Sequence, residues 1–136
     1  MAYWLMKTEP DVFNYDDLER RSPEPWDGVR NAEAARHLRT MRPGDLFLFY
    51  HTGDERRIVG VGRVVSEPYP DPTAEGGNWV AVDTEPSYRF QAPVTLGAIK
   101  ADPRFADWVL VRQSRLSVMP VTADQWRWVH AMGQMA

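Results

Sequence analysis

The chain has 136 residues, of which 43% are hydrophobic and 12% aromatic, enough to build one packed domain of ordinary size. It contains no Cys, which excludes a disulfide framework, a Cys-based zinc site and a thiol nucleophile. The formal net charge of −3 argues against binding duplex DNA by general attraction to phosphates, so any nucleic-acid role must depend on a local pocket or patch.

The amino terminus and the apolar stretches bear on the cellular location of the protein. The first ten residues lack the basic segment and following apolar run of a signal peptide. The longest apolar stretches are far too short to cross a bilayer. We therefore expect a cytoplasmic location. From the length of the chain we expect one domain over residues 1–136, and we expect a monomer.

The first third of the chain is predicted to hold one strand and two capped helices. The strand ends at the pair Glu9-Pro10, because a proline has no N–H to donate to a neighbouring strand. Asn14 and Asn31 have the side-chain oxygen that caps a helix amino terminus. The predicted elements are a strand over 3–7, a helix over 15–21, a loop over 22–29 and a helix over 32–41.

Strands are predicted to dominate the middle of the chain. The run Leu46–His51 is apolar on both faces, which is typical of a central strand. The strand after it contains Gly60 and Gly62, which indicate sharp curvature or a close approach of backbones. These strands are followed by a Pro-rich loop over 68–78 and by a bent strand or hairpin over 79–90.

The last third is predicted to end in a strand and a capped helix. Thr122 with Gln125 forms a capping box, and Trp126 and Val129 lie on the buried face of the helix, which runs to about Met132. Strands and helices do not alternate regularly, so no parallel sheet is expected. The pattern favours an α+β domain, a small curved and closed β-barrel with short helices near both ends. The remaining predicted elements are one helical turn after Thr95, a short apolar segment over 108–111 and a strand over 116–121.

No catalytic constellation stands out in the sequence. There is no Gly-x-Ser-x-Gly elbow, no phosphate-cradling glycine loop and no dinucleotide-binding fingerprint. His37, His51 and His130 are scattered and show no metal-binding spacing. We therefore expect a binding module without metal or cofactor, although a catalytic pair that meets only in the fold stays open.

Four stretches place charged and aromatic side chains at strand ends or in loops. Lys7 and Glu9 flank a hydroxyl, a mixture of donors and acceptors that suits the edge of a nucleobase. Trp26 offers a flat face on which a base can stack. Taken singly, a surface ion pair and a core tryptophan are the simpler interpretations. The stretch of Trp26 also contains Arg30 and Asn31, and the other two stretches contribute His51, Thr52, Arg115 and Ser117.

Taken together and in this order, the stretches resemble the EVE domain family, a branch of the PUA-like superfamily that includes the YTH and ASCH domains. The resemblance covers nearly the whole chain and implies a PUA-like pseudo-β-barrel of about five or six strands flanked by short helices. The motifs that carry it are Tyr-Trp-Leu-Met-Lys-Thr-Glu-Pro, Trp-Asp-Gly-Val-Arg-Asn, Met-Arg-Pro-Gly-Asp, Phe-Tyr-His-Thr, Ile-Val-Gly-Val and Arg-Leu-Ser-Val-Met-Pro-Val.

The resemblance also implies a partner and a site. The partner is DNA or RNA that carries a modified base, with modified cytosine favoured, and the base is flipped into a pocket of aromatic and charged side chains. Thr8 and Thr52 stand where the family mostly has Ser, and the loop over 68–79 is shorter than in many relatives, so substrate choice stays open. The implied base-binding residues are Lys7, Thr8, Glu9, Trp26, Arg30, Asn31, His51, Thr52, Arg115 and Ser117.

Two other functions stay open at this point. ASCH-type relatives include candidate hydrolases, and Lys7 and Glu9 have the chemistry of a nucleophile or an acid–base pair for a small modified nucleoside or RNA substrate. The third possibility is a module that binds a small metabolite or a protein.

Overall fold

The computed structural model describes residues 1–133 as a curled sheet with helices packed around it. The strands are β1 (Tyr3–Thr8), β2 (Glu24–Trp26), β3 (Leu46–His51), β4 (Arg57–Val64), β5 (Tyr69–Pro70), β6 (Val80–Thr95) and β7 (Val118–Val121). The helices are α1 (Tyr15–Arg21), α2 (Ala32–Thr40), α3 (Leu96–Ala101), α4 (Val109–Arg112) and α5 (Ala123–Met132), with a 3-10 turn at Pro103–Phe105. Every helix in this part of the chain is too short or too polar to cross a membrane.

The sheet is mixed and half-closed. Its strands lie in the order β2-β6-β4-β3-β1-β7, and β5 pairs with β6 outside this path. The α+β prediction is confirmed, but within residues 1–133 no pairing joins β2 to β7, so the sheet is a half-barrel and not a closed barrel. The sheet is not a parallel sheet, as predicted, although β1 and β3 pair in parallel. The long connection through α1, β2 and α2 supplies the crossover that parallel neighbours require.

Strand β3 lies in the interior of the sheet, as its apolar run predicts. It pairs with β4 on one side and β1 on the other. Gly62 of β4 stands directly opposite Phe47, and a Cβ at Gly62 would overlap the Phe47 ring. A Cβ at Gly60 would lie 2.7 Å from the carbonyl oxygen of Tyr88. The two glycines therefore mark close approaches, as predicted.

The predicted helix caps are confirmed. The side chain of Asn14 accepts a hydrogen bond from Asp17 N, and the side chain of Asn31 accepts one from Ala34 N. Thr122 and Gln125 form the predicted capping box at the start of α5, and Thr95 caps α3. These bonds join residues only three positions apart, which is why a local pattern predicts them.

Two short strands lie in segments predicted as loops. Strand β2 pairs with β6 between residues 24–26 and 82–84, and β5 pairs with the start of β6. Strand β2 is at the sheet edge, where the missing N–H of Pro25 is tolerated. Both strands form because β6 is a single strand of 16 residues that offers them a partner, and such a partner is not visible in the local sequence.

Candidate functional site

A cavity of about 700 Å³ opens at one end of the sheet, between the exit of β1, the segment around β2 and the residues before β7. This volume is within the range of pockets that hold small molecules, roughly 300–1,000 Å³. We call it the large cavity. It is lined by Lys7, Thr8, Val12, Phe13, Arg21, residues 24–31 and Ser117.

Six of the ten predicted base-binding residues meet at the large cavity. They come from three separated segments of the chain, which the fold brings together. The other four residues lie outside its lining. The six are Lys7, Thr8, Trp26, Arg30, Asn31 and Ser117, and the four are Glu9, His51, Thr52 and Arg115.

Lys7 forms one wall of the large cavity. Its Nζ donates a hydrogen bond to the carbonyl oxygen of Ser114 at 2.9 Å and lies 5.4 Å from the centre of the Tyr50 ring. Its backbone N donates to the carbonyl oxygen of Ser117 at 2.8 Å, which holds β1 against the segment before β7. Burial lowers the pKa of the Lys7 ammonium, because a charged amine loses hydration there.

Trp26 is both a core residue and part of the cavity wall. It is 6% exposed, and its ring makes edge contacts with Phe13, Phe47 and Phe49 at centroid distances of 5.4–5.7 Å. Edge-to-face geometry of this kind stabilises an aromatic core. The core interpretation of Trp26 is therefore confirmed, and only a small part of its surface is open to a ligand.

Arg30 is held in place by Asp71, a residue that the sequence analysis did not single out. Its Nη1 donates to Asp71 Oδ2 at 2.9 Å, and its Nη2 donates to Thr73 Oγ1 at 3.0 Å. The guanidinium also lies 5.8 Å from the centre of the Trp79 ring. The loop over 68–79, which the resemblance implies can lie near a ligand, therefore braces the cavity wall.

The Asp71 carboxylate is the anchor of this wall. Its side chain is fully buried, and it also accepts hydrogen bonds from Gly28 N at 2.8 Å and from the N and Oγ1 of Thr73 at 2.7 Å. Burial raises the pKa of the Asp71 carboxyl, but the bonds from Thr73, Arg30 and Gly28 outweigh it and hold the pKa well below its ordinary value. In the sequence, Asp71 is marked only by the turn motif Asp-Pro-Thr. This motif is common in loops where the Asp has no such role, so it does not predict an anchor by itself.

Asn31 and Asp27 supply polar atoms at the cavity. The Asn31 Oδ1 accepts from Ala34 N at 2.9 Å, and within residues 1–133 its Nδ2 has no protein acceptor. Burial raises the pKa of Asp27, and the nearby charge of Asp71 raises it further. Capping thus uses only half of the Asn31 amide, which leaves its donors available to a ligand.

Glu9 and Thr52 interact with each other outside the large cavity. The Thr52 hydroxyl donates to Glu9 Oε1 and lies 3.3 Å from the carbonyl oxygen of Thr8. No ion pair between Lys7 and Glu9 is found in the described part of the chain. Lys7 and Glu9, the pair that the hydrolase interpretation requires, therefore bond to different partners and not to each other.

His51 lies in a second cavity of about 280 Å³, which shares no lining residue with the large one. Its Nε2 accepts a hydrogen bond from Tyr15 N at 3.3 Å, and its Nδ1 lies 2.8 Å from Glu55 Oε1. Because a backbone N–H can only donate, we infer that the proton of the neutral ring is on Nδ1 and is donated to Glu55. The His51–Glu55 hydrogen bond is the main reason that the pKa of the Glu55 carboxyl is lowered.

Arg115 lies in a shallow groove beside the large cavity. We define the groove by Asn31, Glu33 and residues 112–116, and it shares Asn31 with the cavity. Arg115 is exposed and lies in this groove, not in the wall of the large cavity. No group of three His, Cys, Asp or Glu residues within 1–133 is arranged to hold a metal ion.

A family model for the EVE domain matches residues 2–132. The chain belongs to the EVE domain family. The match spans the segments that form the large cavity, so the resemblance seen in the motifs is confirmed.

Solved structures similar to this EVE domain come from bacteria and from human. A protein from Rhodopseudomonas palustris is 45% identical, with a TM-score of 0.93, over 98% of this chain and 94% of that one. Human THYN1 protein, crystallised in complex with DNA containing 5-methylcytosine, is 27% identical, with a TM-score of 0.90, over 100% of this chain and 99% of that one. The MmI1 YTH domain is 10% identical with a TM-score of 0.59, and it shows that the fold is shared with YTH domains.

Proposed function

We propose that this EVE domain is a nucleic-acid-binding module that holds one flipped base, a modified cytosine, in the large cavity. The observation that carries the proposal is the complex of human THYN1 with DNA containing 5-methylcytosine, since that protein has the same fold. The cavity volume of about 700 Å³ is also sufficient for a nucleoside. The proposal concerns recognition of the base and does not specify the sugar, so DNA and RNA are both compatible with it.

The polar groups at the cavity match the edge of cytosine. Cytosine offers an amino donor and two acceptors, so its recognition requires both kinds of partner. Lys7 Nζ and the free Nδ2 of Asn31 are donors, and the carboxylates of Glu24 and Asp27 are acceptors. In this proposal Asp27 or Glu24 takes the acceptor role expected of Glu9, which does not line the cavity.

The apolar groups at the cavity suit the ring face and a methyl substituent. Val12, Phe13, Val29 and the open part of Trp26 surround the polar groups. Contact with these side chains offsets the few kcal/mol that unstacking a base costs. One methyl group in such a pocket changes affinity by about 10–200-fold at most, so the preference for the modified base is expected to be limited.

The binding-module interpretation is favoured over the hydrolase by the contacts of Lys7 and Glu9. Lys7 Nζ is bonded to the Ser114 carbonyl, and Glu9 is bonded to the Thr52 hydroxyl. A nucleophile and its base need a shared position within hydrogen-bonding reach. We therefore expect no turnover of modified nucleosides by the parent protein.

The decisive experiment is a titration with short oligonucleotides that contain cytosine or 5-methylcytosine, together with free 5-methylcytidine. The informative variant is Asn31→Asp, which keeps the capping oxygen but removes the amide donors and adds a charge. Its matched control is Asn14→Asp, which makes the same change at the cap of α1, outside the large cavity.

We expect Asn31→Asp to weaken binding of 5-methylcytidine about tenfold, as losing one hydrogen bond to a ligand does, with little change in thermal midpoint. Asn14→Asp is expected to bind as the parent does. If the two variants bind alike at matched folded fraction, Asn31 does not read the base. If the parent does not distinguish the two oligonucleotides, the proposed function is wrong.

A further inference from the structure

Six of the 16 Lys and Arg side chains have no carboxylate within 4.0 Å in the described residues, which include all 16. In a chain with 19 Asp and Glu, cations that stay unpaired are a minority. Their positions are therefore informative, because an unpaired surface cation is available to an external anion. The six are Lys7, Arg36, Arg39, Arg56, Lys100 and Arg115.

Three of these six cations meet in one depression. It measures about 250 Å³, and we call it the notch, lined among others by Lys7, Tyr50, Arg56, Lys100 and Ser114. No carboxylate lines the notch among residues 1–133, whereas the large cavity has Glu24 and Asp27 in its wall. The Glu9 carboxylate accepts from the Thr52 hydroxyl at the edge of the notch, so three cations and one carboxylate lie there in a protein whose net charge is −3.

The local structure brings these cations together. Leu96 N at the start of α3 donates to the carbonyl oxygen of Arg56 at 2.9 Å, and Lys100 lies in the last turn of the same helix. Arg56 has φ of +43°, and no other residue except glycine in the described chain has a positive φ. Such a conformation costs about 1–3 kcal/mol and persists only where the surroundings enforce it.

The neighbouring residue provides a contrast within the same turn. Arg57 forms an ion pair with Glu55, with Nε 3.1 Å from Oε1, whereas Arg56 has no such partner. Asp54 and Glu55 line a neighbouring depression of about 270 Å³ that also includes Arg56 and Lys100, but neither carboxylate lines the notch. Lys7, Arg56 and Lys100 have no carboxylate within 4.0 Å in residues 1–133, so an anion bound among them would be attracted by all three.

The notch adjoins the large cavity. Lys7 lines both, and its Nζ is bonded to Ser114, which lines the notch and the groove. A nucleotide whose base enters the large cavity past Lys7 has its backbone at the edge of the notch, because Lys7 lines both. A phosphate next to that nucleotide therefore comes within reach of the notch.

We propose that the notch binds a backbone phosphate of the strand whose base occupies the large cavity, a role that rests on the proposed function. Arg56 and Lys100 contact the phosphate oxygens, and Lys7 lies between phosphate and base. A phosphodiester has a single negative charge and strong acceptor oxygens, which match guanidinium and ammonium donors.

The test uses two doubly substituted variants with the same change in net charge. Arg56→Gln with Lys100→Gln removes two notch cations, and Arg36→Gln with Arg39→Gln removes two unpaired cations of α2 that lie outside the cavity, groove and notch. Affinity for a single-stranded 5-methylcytosine oligonucleotide is measured over a series of salt concentrations. Affinity for free 5-methylcytidine, which has no phosphate, is measured in parallel.

Losing one phosphate contact is expected to reduce the slope of log affinity against log salt by about 0.7. We expect this reduction in the notch variant alone, with affinity for 5-methylcytidine unchanged in both variants. Equal slopes in the parent and the notch variant, or equal losses in the two variants, would overturn the phosphate site.

The same measurements separate this inference from the proposed function. A parent that binds both oligonucleotides equally, with a lower salt slope in the notch variant, supports the notch and contradicts the modified-base reader. A parent that prefers 5-methylcytosine while the notch variant keeps its salt slope supports the reader and contradicts the notch. A parent that binds 5-methylcytidine but no oligonucleotide also contradicts the phosphate site, because no strand phosphate then contributes to binding.

Discussion

The Asp71 carboxylate accepts a hydrogen bond from Arg30 Nη1 at 2.9 Å, although the two residues are 41 positions apart. The same carboxylate oxygen accepts from Gly28 N, so one buried group ties the loop before β6 to two points of the cavity wall. Asp71 does not itself line the large cavity. It therefore acts as a positioning residue for Arg30.

Replacing Asp71 with Asn is expected to destabilise the protein by about 1–3 kcal/mol, because the charged hydrogen bonds to Arg30 and Thr73 are weakened. We also expect weaker binding of 5-methylcytidine at matched folded fraction, since Arg30 is held less firmly. Urea denaturation and nucleoside titration measure the two effects. Glu75→Gln, an exposed change in the same loop, is the control and should alter neither.

The effect of Asp71→Asn on stability should depend on pH. The pKa of the Asp71 carboxyl is lowered on folding, so its stabilisation is fully present above the unfolded value, near 3.8, and is lost as the pH falls through the folded pKa. The difference in free energy of unfolding between the parent and the Asp71→Asn variant should thus be largest near neutrality and shrink below pH 3.8. A difference that is the same at all pH values would show that charge is not its source.

Binding should weaken at alkaline pH through Lys7. Burial lowers the pKa of its ammonium below the ordinary 10.5, so its charge is lost earlier than that of an exposed lysine as the pH rises. We expect affinity for the 5-methylcytosine oligonucleotide to fall on the alkaline side in the parent. Lys7→Arg keeps its charge there and should show a flatter profile. Parallel profiles for the two proteins would exclude Lys7 as the titrating donor.

Two glycine substitutions should have opposite effects on stability. Gly62→Ala forces a methyl into the Phe47 ring and is expected to cost about 1–3 kcal/mol. Gly97→Ala lies in α3, where the nearest atom to a new Cβ is Thr95 Oγ1 at 4.0 Å, and should stabilise by about 0.5–1 kcal/mol. Urea denaturation of both variants measures this contrast. A neutral Gly62→Ala would mean that the β3–β4 pairing adjusts freely.

His51 should behave as a structural residue of the second cavity. We expect nitrogen chemical shifts of the neutral ring to show a protonated Nδ1, since Tyr15 N donates to Nε2. His51→Phe leaves Tyr15 N and Glu55 without this partner and should cost about 1–3 kcal/mol in stability. Nucleoside affinity at matched folded fraction should not change. A loss of that affinity would instead place His51 at the base.

The local features of this fold were predictable from the sequence. Asn14, Asn31 and Thr122 cap helices through bonds that span three positions, and the apolar run of β3 indicates an interior strand. The close approach at Gly62 follows from its place in a strand. Each of these features depends on near neighbours or on strand periodicity, which a linear pattern records. The family motifs also grouped ten residues, of which six line the large cavity.

The division of the site was decided only by the tertiary structure. Successive side chains of a strand point to opposite faces, so Tyr50 lines the notch while His51 enters the second cavity. Lys7 reaches the Ser114 carbonyl across 107 positions, and Asp71 reaches Arg30 across 41. A sequence shows which residues have suitable chemistry. Which of them share a pocket depends on strand order and on loop closure between distant segments, and only the folded chain specifies these.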